Sequence, residues 1–134
     1  MIDVRHDDFN VNEMIERAKD PSMGALVTFL GVVRDDEIER IELEAYREAA
    51  VQELEAIRDE AFAAHEIASV AIVHRIGPLK VGENILLIIV GAGHRKEAFA
   101  ACEYILEEIK RRLPIWKKEF EKGGGTRWVP GNAR

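Results

Sequence analysis

The sequence predicts a mixed helix and strand protein, a single α/β or α+β sandwich, on three observations. Segments with strand-like and helix-like hydrophobic periodicity alternate along the chain, with no internal repeat, linker or low-complexity tract. The run Ile85-Leu86-Leu87-Ile88-Ile89-Val90 has no polar alternation, as expected of a central strand covered on both faces. At 134 residues the chain suits one domain, residues 1–134, long enough for a real core and with little room for a second.

The elements follow in order. Ile2 to Arg5 suits a short first strand, and Asn10 with Glu13 forms an N-cap and capping-box pair that opens a helix to about Lys19, stopped by Asp20-Pro21. Gly24 to Val33 is a β-rich run ending at Arg34, followed by the acidic, loop-like Asp35-Asp36-Glu37. Ile41 to Tyr46 alternates apolar with charged residues, as a strand with one wet face does. From Arg47 to His65 the apolar positions Ala50, Val51, Leu54, Ile57, Ala61 and Ala64 recur at helical spacing. Ser69 to Ile76 reads as a strand, Gly77 to Glu83 as turn chemistry, and Asn84 to Val90 as the central strand. A helix from about Lys96 to Leu113 then buries Ala98, Phe99, Cys102, Ile105, Leu106, Ile109 and Leu113. Beyond Pro114, the Gly123-Gly124-Gly125 turn separates Ile115–Phe120 from Thr126–Val129, a terminal hairpin.

Charge is unevenly spread. The chain carries a net −6, yet residues 92–134 hold ten Lys/Arg against six Asp/Glu, whereas residues 1–91 hold nine against nineteen. A diffuse nucleic-acid surface usually makes a whole domain basic, so a focused pocket for a small anion is the more economical reading. Met1 to Asp8 has no apolar run like that of a signal peptide, and no segment is long enough to span a bilayer, so a cytoplasmic protein with no membrane partner is expected. Cys102 is the single cysteine, so no internal disulfide forms, and its helical spacing makes it a core residue. The histidines His6, His65, His74 and His94 are scattered, with no ligand set for a metal.

The candidate chemistry concentrates around the last long helix. Gly91-Ala92-Gly93-His94-Arg95 precedes it and Lys110-Arg111-Arg112-Leu113-Pro114-Ile115-Trp116-Lys117 ends it, which puts cations at both ends, where an anionic small molecule can be held. At about 100° per residue, Lys110 falls one turn after Leu106 on the shoulder of the apolar stripe, with Arg111 pointing away. There, desolvation and neighbouring cations would favour a neutral, nucleophilic amine. The competing reading is that last-turn cations merely oppose the helix dipole. Lys117 follows a Pro-Ile-Trp lead-in whose proline ends the helix and whose tryptophan anchors the backbone by burial, unless it is a solvated charge on a terminal strand. His94-Arg95 suits a phosphate at a helix N-terminus, although Gly-x-Gly between strand and helix also serves tight packing. Arg34, at a strand end, is either a further anion ligand or simply solvated.

Taken together, Gly24 to Arg34, His74 to Glu83, His94-Arg95 with Ala98-Phe99, and Leu113 to Glu119 followed by Trp128-Val129 resemble the large, catalytic subunits of molybdopterin synthase, over nearly the whole chain and in order. The resemblance implies an α/β hammerhead-type fold with an additional small antiparallel sheet. It also implies a central homodimer flanked by two copies of a small ubiquitin-like sulfur carrier, whose Gly-Gly tail ends in a thiocarboxylate. The implied reaction inserts two sulfurs into a cyclic pyranopterin monophosphate, precursor Z, to make the molybdopterin dithiolene, with no metal or organic cofactor. By motif, Lys110 and Lys117 match the family's active-site lysines, Arg34, His94 and Arg95 match its anion-binding surroundings, and Phe29 lies near that wall.

The chain departs from the family pattern at Gly91-Ala92-Gly93, where Ser is common, and in the short loop after Arg34. A late family arginine has no firm counterpart at Arg134. Because the sequence closes on Ala133-Arg134 rather than Gly-Gly, the thiocarboxylate is expected on a partner. A rival reading from another class is a non-enzymatic binding module, its basic C-terminal segment recognising an acidic protein or single-stranded nucleic acid with Trp116 and Trp128 as stacking faces.

Overall fold

The computed structural model describes residues 1–130; positions 131–134, and with them Arg134, lie outside the described residues. In chain order the elements are β1 (Ile2–Arg5), α1 (Val11–Ala18), β2 (Ala25–Val32), β3 (Ile38–Ala45), α2 (Arg47–Ala64), β4 (Ser69–Arg75), β5 (Gly77–Lys80), β6 (Asn84–Ala92), α3 (Arg95–Arg112), β7 (Ile115–Glu121) and β8 (Thr126–Pro130). Two four-stranded sheets result, ordered β1-β4-β6-β2 and β5-β3-β7-β8. This is the expected α+β arrangement with a small antiparallel sheet beside the main one. No helix among the described residues is long and apolar enough to cross a membrane.

The first sheet is mixed: β1 runs parallel to β4, while β6 is antiparallel to both β4 and β2. Side chains along β6 alternate between two cores. Leu86, Ile88, Val90 and Ala92 join the larger one with α2 and α3, and Leu87 and Ile89 meet Phe9 and Met14 on the α1 side. The uninterrupted apolar run is thus a strand with helices on both faces. Each fully buried Leu, Ile or Val there contributes roughly 1.5–3 kcal/mol. Asn10 caps α1 by accepting from the Glu13 amide at 2.9 Å.

The second sheet lies across the end of α3, its inner residues Ile41, Leu43, Leu79 and Ile115 joining the larger core. Here the structure departs from the expectation that Gly77 to Glu83 is only turn. Gly77–Lys80 pairs with β3, and Pro78 is tolerated because β5 is an edge strand whose free side needs no donor. The turn itself is shorter, closed by Gly82 at φ 90° and by the Glu83 amide donating to the Lys80 carbonyl at 3.0 Å. On α3, Phe99 is 61% exposed rather than buried; Ala101 takes the inward place, because the helix buries Ala98, Ala101, Cys102, Ile105 and Ile109. Ala64, at the end of α2, is likewise exposed.

Candidate active site

Pro114 ends α3 and redirects the chain into β7, where side chains two residues apart share a face. Ile115, Lys117 and Glu119 therefore point the same way, into a cavity of about 440 Å³ between the inner face of the second sheet and the end of α3. Lys110, half-buried on the last turn of α3, lines the same cavity. From the opposite side come Phe29 on β2 and, just after β2, Arg34 and Asp36. Four of the six sequence candidates thus meet at one place: Phe29, Arg34, Lys110 and Lys117.

The three cations of the last helical turn go to different tasks. Arg112 is tied to Glu53 at 2.7 Å, Glu60 at 2.6 Å and Glu108 at 3.0 Å, so it clamps α3 to α2. Hydrogen bonds from Arg112 and Tyr104 hold the Glu60 carboxyl down at about 2. Arg111 pairs with Glu108 on the outer surface at 2.5 Å. Lys110 alone of the three lines the cavity.

The tryptophan expectation is corrected. Trp116 is 58% exposed, so burial of its ring does not hold Lys117. The backbone of β7 is held instead between two strands, with Lys117 opposite Leu43 on β3 and Val129 on β8. The side chain is held by a carboxylate that sequence reasoning passed over. Glu119 is 1% exposed and accepts from Lys117 Nζ at 3.2 Å and from Arg127 Nη2 at 2.6 Å. Burial opposes its ionisation, but the hydrogen bonds from Arg127 and Lys117 prevail and keep the carboxyl below its usual range. The signal was present in the alternation Ile115-x-Lys117-x-Glu119 and in Arg127, which the hairpin sets directly opposite Glu119. His74 also lines the cavity, buried among apolar side chains.

His94 and Arg95 are not brought to this cavity within one chain. Both are exposed at the start of α3, and fifteen residues of helix, ~22 Å at 1.5 Å per residue, separate Arg95 from Lys110. One small anion therefore cannot touch both ends of the helix. Of the glycines before His94, Gly91 has a packing explanation, since a Cβ there would strike Met23 and Ser69, and the Gly93 carbonyl in turn requires glycine at position 24, where a Cβ would run into its oxygen. Cys102 is a core residue whose thiol burial pushes up to about 11.

Residues 4–112 match the family model described as MoaE protein. The chain belongs to the MoaE family. Among relatives, it is 45% identical over 130 residues to the molybdopterin synthase catalytic subunit of Pyrococcus abyssi, covering 94% of this chain and 87% of that one. The structure of molybdopterin synthase from Staphylococcus aureus superposes with a TM-score of 0.87 at 36% identity, covering 95% of each chain. A protein–protein complex of subunits 1 and 2 of molybdopterin-converting factor from Helicobacter pylori gives 0.79 at 21% identity, a likeness of fold. The MoaE match ends at Arg112, so Lys110 lies inside it and Lys117 and Glu119 lie beyond.

Membership in the MoaE family disfavours the binding-module reading, and so does the local charge. Of the cations that reading needs, Arg111 and Arg112 are paired with glutamates of α2 and α3, Lys122 with Asp35 and Arg127 with Glu119.

Proposed function

We propose that this chain is the catalytic subunit of a molybdopterin synthase, an enzyme that moves sulfur from the C-terminal thiocarboxylate of a small ubiquitin-like subunit to cyclic pyranopterin monophosphate. What supports the reading is that Lys110 and Lys117, on different elements, line one cavity with Arg34. The thiocarboxylate tail and the cyclic phosphate are both anions, and bringing them together in a partly enclosed space requires fixed positive charge. In this reading Arg34 and Lys117 hold the phosphate and pterin, with Phe29 forming part of the wall. Lys110 contacts the terminal carbonyl of the tail and assists acyl or proton transfer. Each transfer leaves the tail as a carboxylate, with water supplying the oxygen that replaces sulfur.

His94 and Arg95 enter this scheme through the homodimer. Exposed and remote from the cavity of their own chain, they serve the cavity of the second copy, where they add to its anion site. We take the chain to act in the cytoplasm, in keeping with a biosynthetic enzyme whose one cysteine is a buried thiol.

The test mixes the protein with its thiocarboxylated small subunit and precursor Z and measures dithiolene product. Product with the unaltered chain, and its severe loss in both Lys110→Ala and Lys117→Ala with folding and partner association retained, is the expected result. Normal turnover in both variants overturns the assignment.

A further inference from the structure

His74 is the one histidine of the chain that is buried, 8% exposed, and it lines the cavity. Its place is set by sheet register. His74 on β4 pairs with Leu86 on β6, and Leu86 pairs with Gly31 on β2, so the three form one rung across the sheet beneath the cavity. Its Nδ1 lies 2.8 Å from the Arg75 carbonyl oxygen. A carbonyl can only accept, so Nδ1 carries the hydrogen and donates it. In the neutral ring Nε2 is then a bare lone pair. Burial keeps the imidazole neutral, pulling it down to about 4 against the weaker opposing effect of that hydrogen bond. Nε2 has no hydrogen-bond partner among the described residues, and it is not one of their sealed side-chain atoms without a hydrogen bond, which are Arg5 Nε and Ser69 Oγ.

The other side-chain acceptors lining the cavity are ion-paired carboxylates, Asp36 with Arg34 at 3.0 Å and Glu119 with Lys117 and Arg127, so His74 is the neutral side-chain acceptor of the wall. The remaining polar groups of the wall are cations, which donate and do not accept. Cations and ion-paired carboxylates suit the anionic parts of a ligand, whereas a neutral, directed acceptor suits a ring N–H.

We propose that Nε2 of His74 accepts a hydrogen bond from an N–H of the pterin ring, making His74 the residue that recognises the heterocycle while the cations recognise its anionic parts. This rests on the function proposed above. The assignment separates two kinds of recognition within one cavity. Charge attracts anions of many shapes, and a single directed acceptor next to Leu86 selects a flat ring with a donor at its edge.

Two substitutions separate the contact from a packing role. His74→Asn keeps an amide N–H that can reach the Arg75 carbonyl and loses the acceptor at the Nε2 position; His74→Gln places an amide oxygen near that position. The expected result is that His74→Asn raises KM for the pterin phosphate about tenfold, leaves KM for the thiocarboxylated subunit unchanged, and is largely rescued in His74→Gln. A rise in the subunit's KM instead, or a fall in kcat with the pterin's KM unchanged, overturns the proposal. The second measurement needs no variant to fold. In the ¹⁵N-labelled unaltered protein, the Nε2 resonance of His74 should move on addition of precursor Z alone, and an unmoved resonance at saturation overturns it. A protein that binds precursor Z through Nε2 yet makes no dithiolene refutes the assigned reaction and upholds this contact.

Discussion

Lys117 Nζ and Glu119 Oε2 lie 3.2 Å apart on one face of β7, and the carboxylate that holds the lysine is itself almost wholly buried. The lysine's position in the cavity is therefore tied to a buried negative charge. Glu119→Gln keeps the shape and removes the charge. It should cost about 1–2 kcal/mol in chemical denaturation, because Lys117 and Arg127 each lose a charge-assisted bond, and it should raise KM for the pterin phosphate as Lys117 loses its orientation. Unchanged stability and kinetics in this variant would show that the ion pair is incidental.

Lys110 and Arg111 are neighbours in sequence with opposite surroundings, one in the cavity and one paired with Glu108 outside. Lys110→Ala should reduce turnover by roughly 10²–10³, the scale of losing one fixed charge at a reacting group. Arg111→Ala should stay within about twofold of the unaltered enzyme, the change expected of an exposed pair. Steady-state rates of the two variants, measured side by side, check the division.

Arg112 joins α3 to two glutamates of α2. Arg112→Ala should lower Tm by roughly 3–5 °C while leaving kcat near normal. Because Arg112 holds Glu60 well below its usual value, this clamp is complete above pH 4.5 and is lost as pH falls towards about 2. The variant should accordingly show a shallower acid limb in a thermal denaturation series.

His74 works in a different pH window. Its folded value of about 4 lies below the ordinary 6.5, so the unfolded chain binds the extra proton first, and stability that is complete above pH 6.5 declines as pH falls towards 4. The total is on the order of 3 kcal/mol. His74→Asn should flatten the urea-denaturation profile between pH 4 and 6.5; an identical slope would show that the imidazole does not stay neutral in the fold.

A mixed dimer tests the role of Arg95. If Arg95 serves the other copy's cavity, a dimer of one Lys117→Ala chain and one Arg95→Ala chain keeps one intact site although both parent dimers are impaired. If Arg95 serves its own cavity, no site is intact. Activity recovered on mixing the two variants, followed by product formation after subunit exchange, decides between them.

Much of the fold is legible in local pattern. The unbroken Ile85–Val90 run lies between two cores, the Asn10 cap is made, and the glycine turn closes the hairpin of β7 and β8. These features depend on contacts of short range or on a period that records which faces are covered. Gly77–Lys80 escaped the same reading because a short edge strand containing proline exists only by virtue of its pairing with β3, thirty-odd residues earlier in the chain.

The sequence by itself determined which side chains are available for chemistry and on which face of its own element each one sits: Lys110 on the shoulder of a helix, Lys117 two places from Glu119 on a strand. Only the tertiary structure decided which of those faces meet. It set β7 beside β3, brought Arg34 and Phe29 to the lysines, buried Glu119 and His74 at the same cavity, turned Trp116 outward and left His94 and Arg95 a helix length away. The physical reason is range. Periodicity and capping act over a few residues, whereas the electrostatics of a cavity depend on charges brought together from separate elements, and their burial and pairing exist only once the sheets have packed.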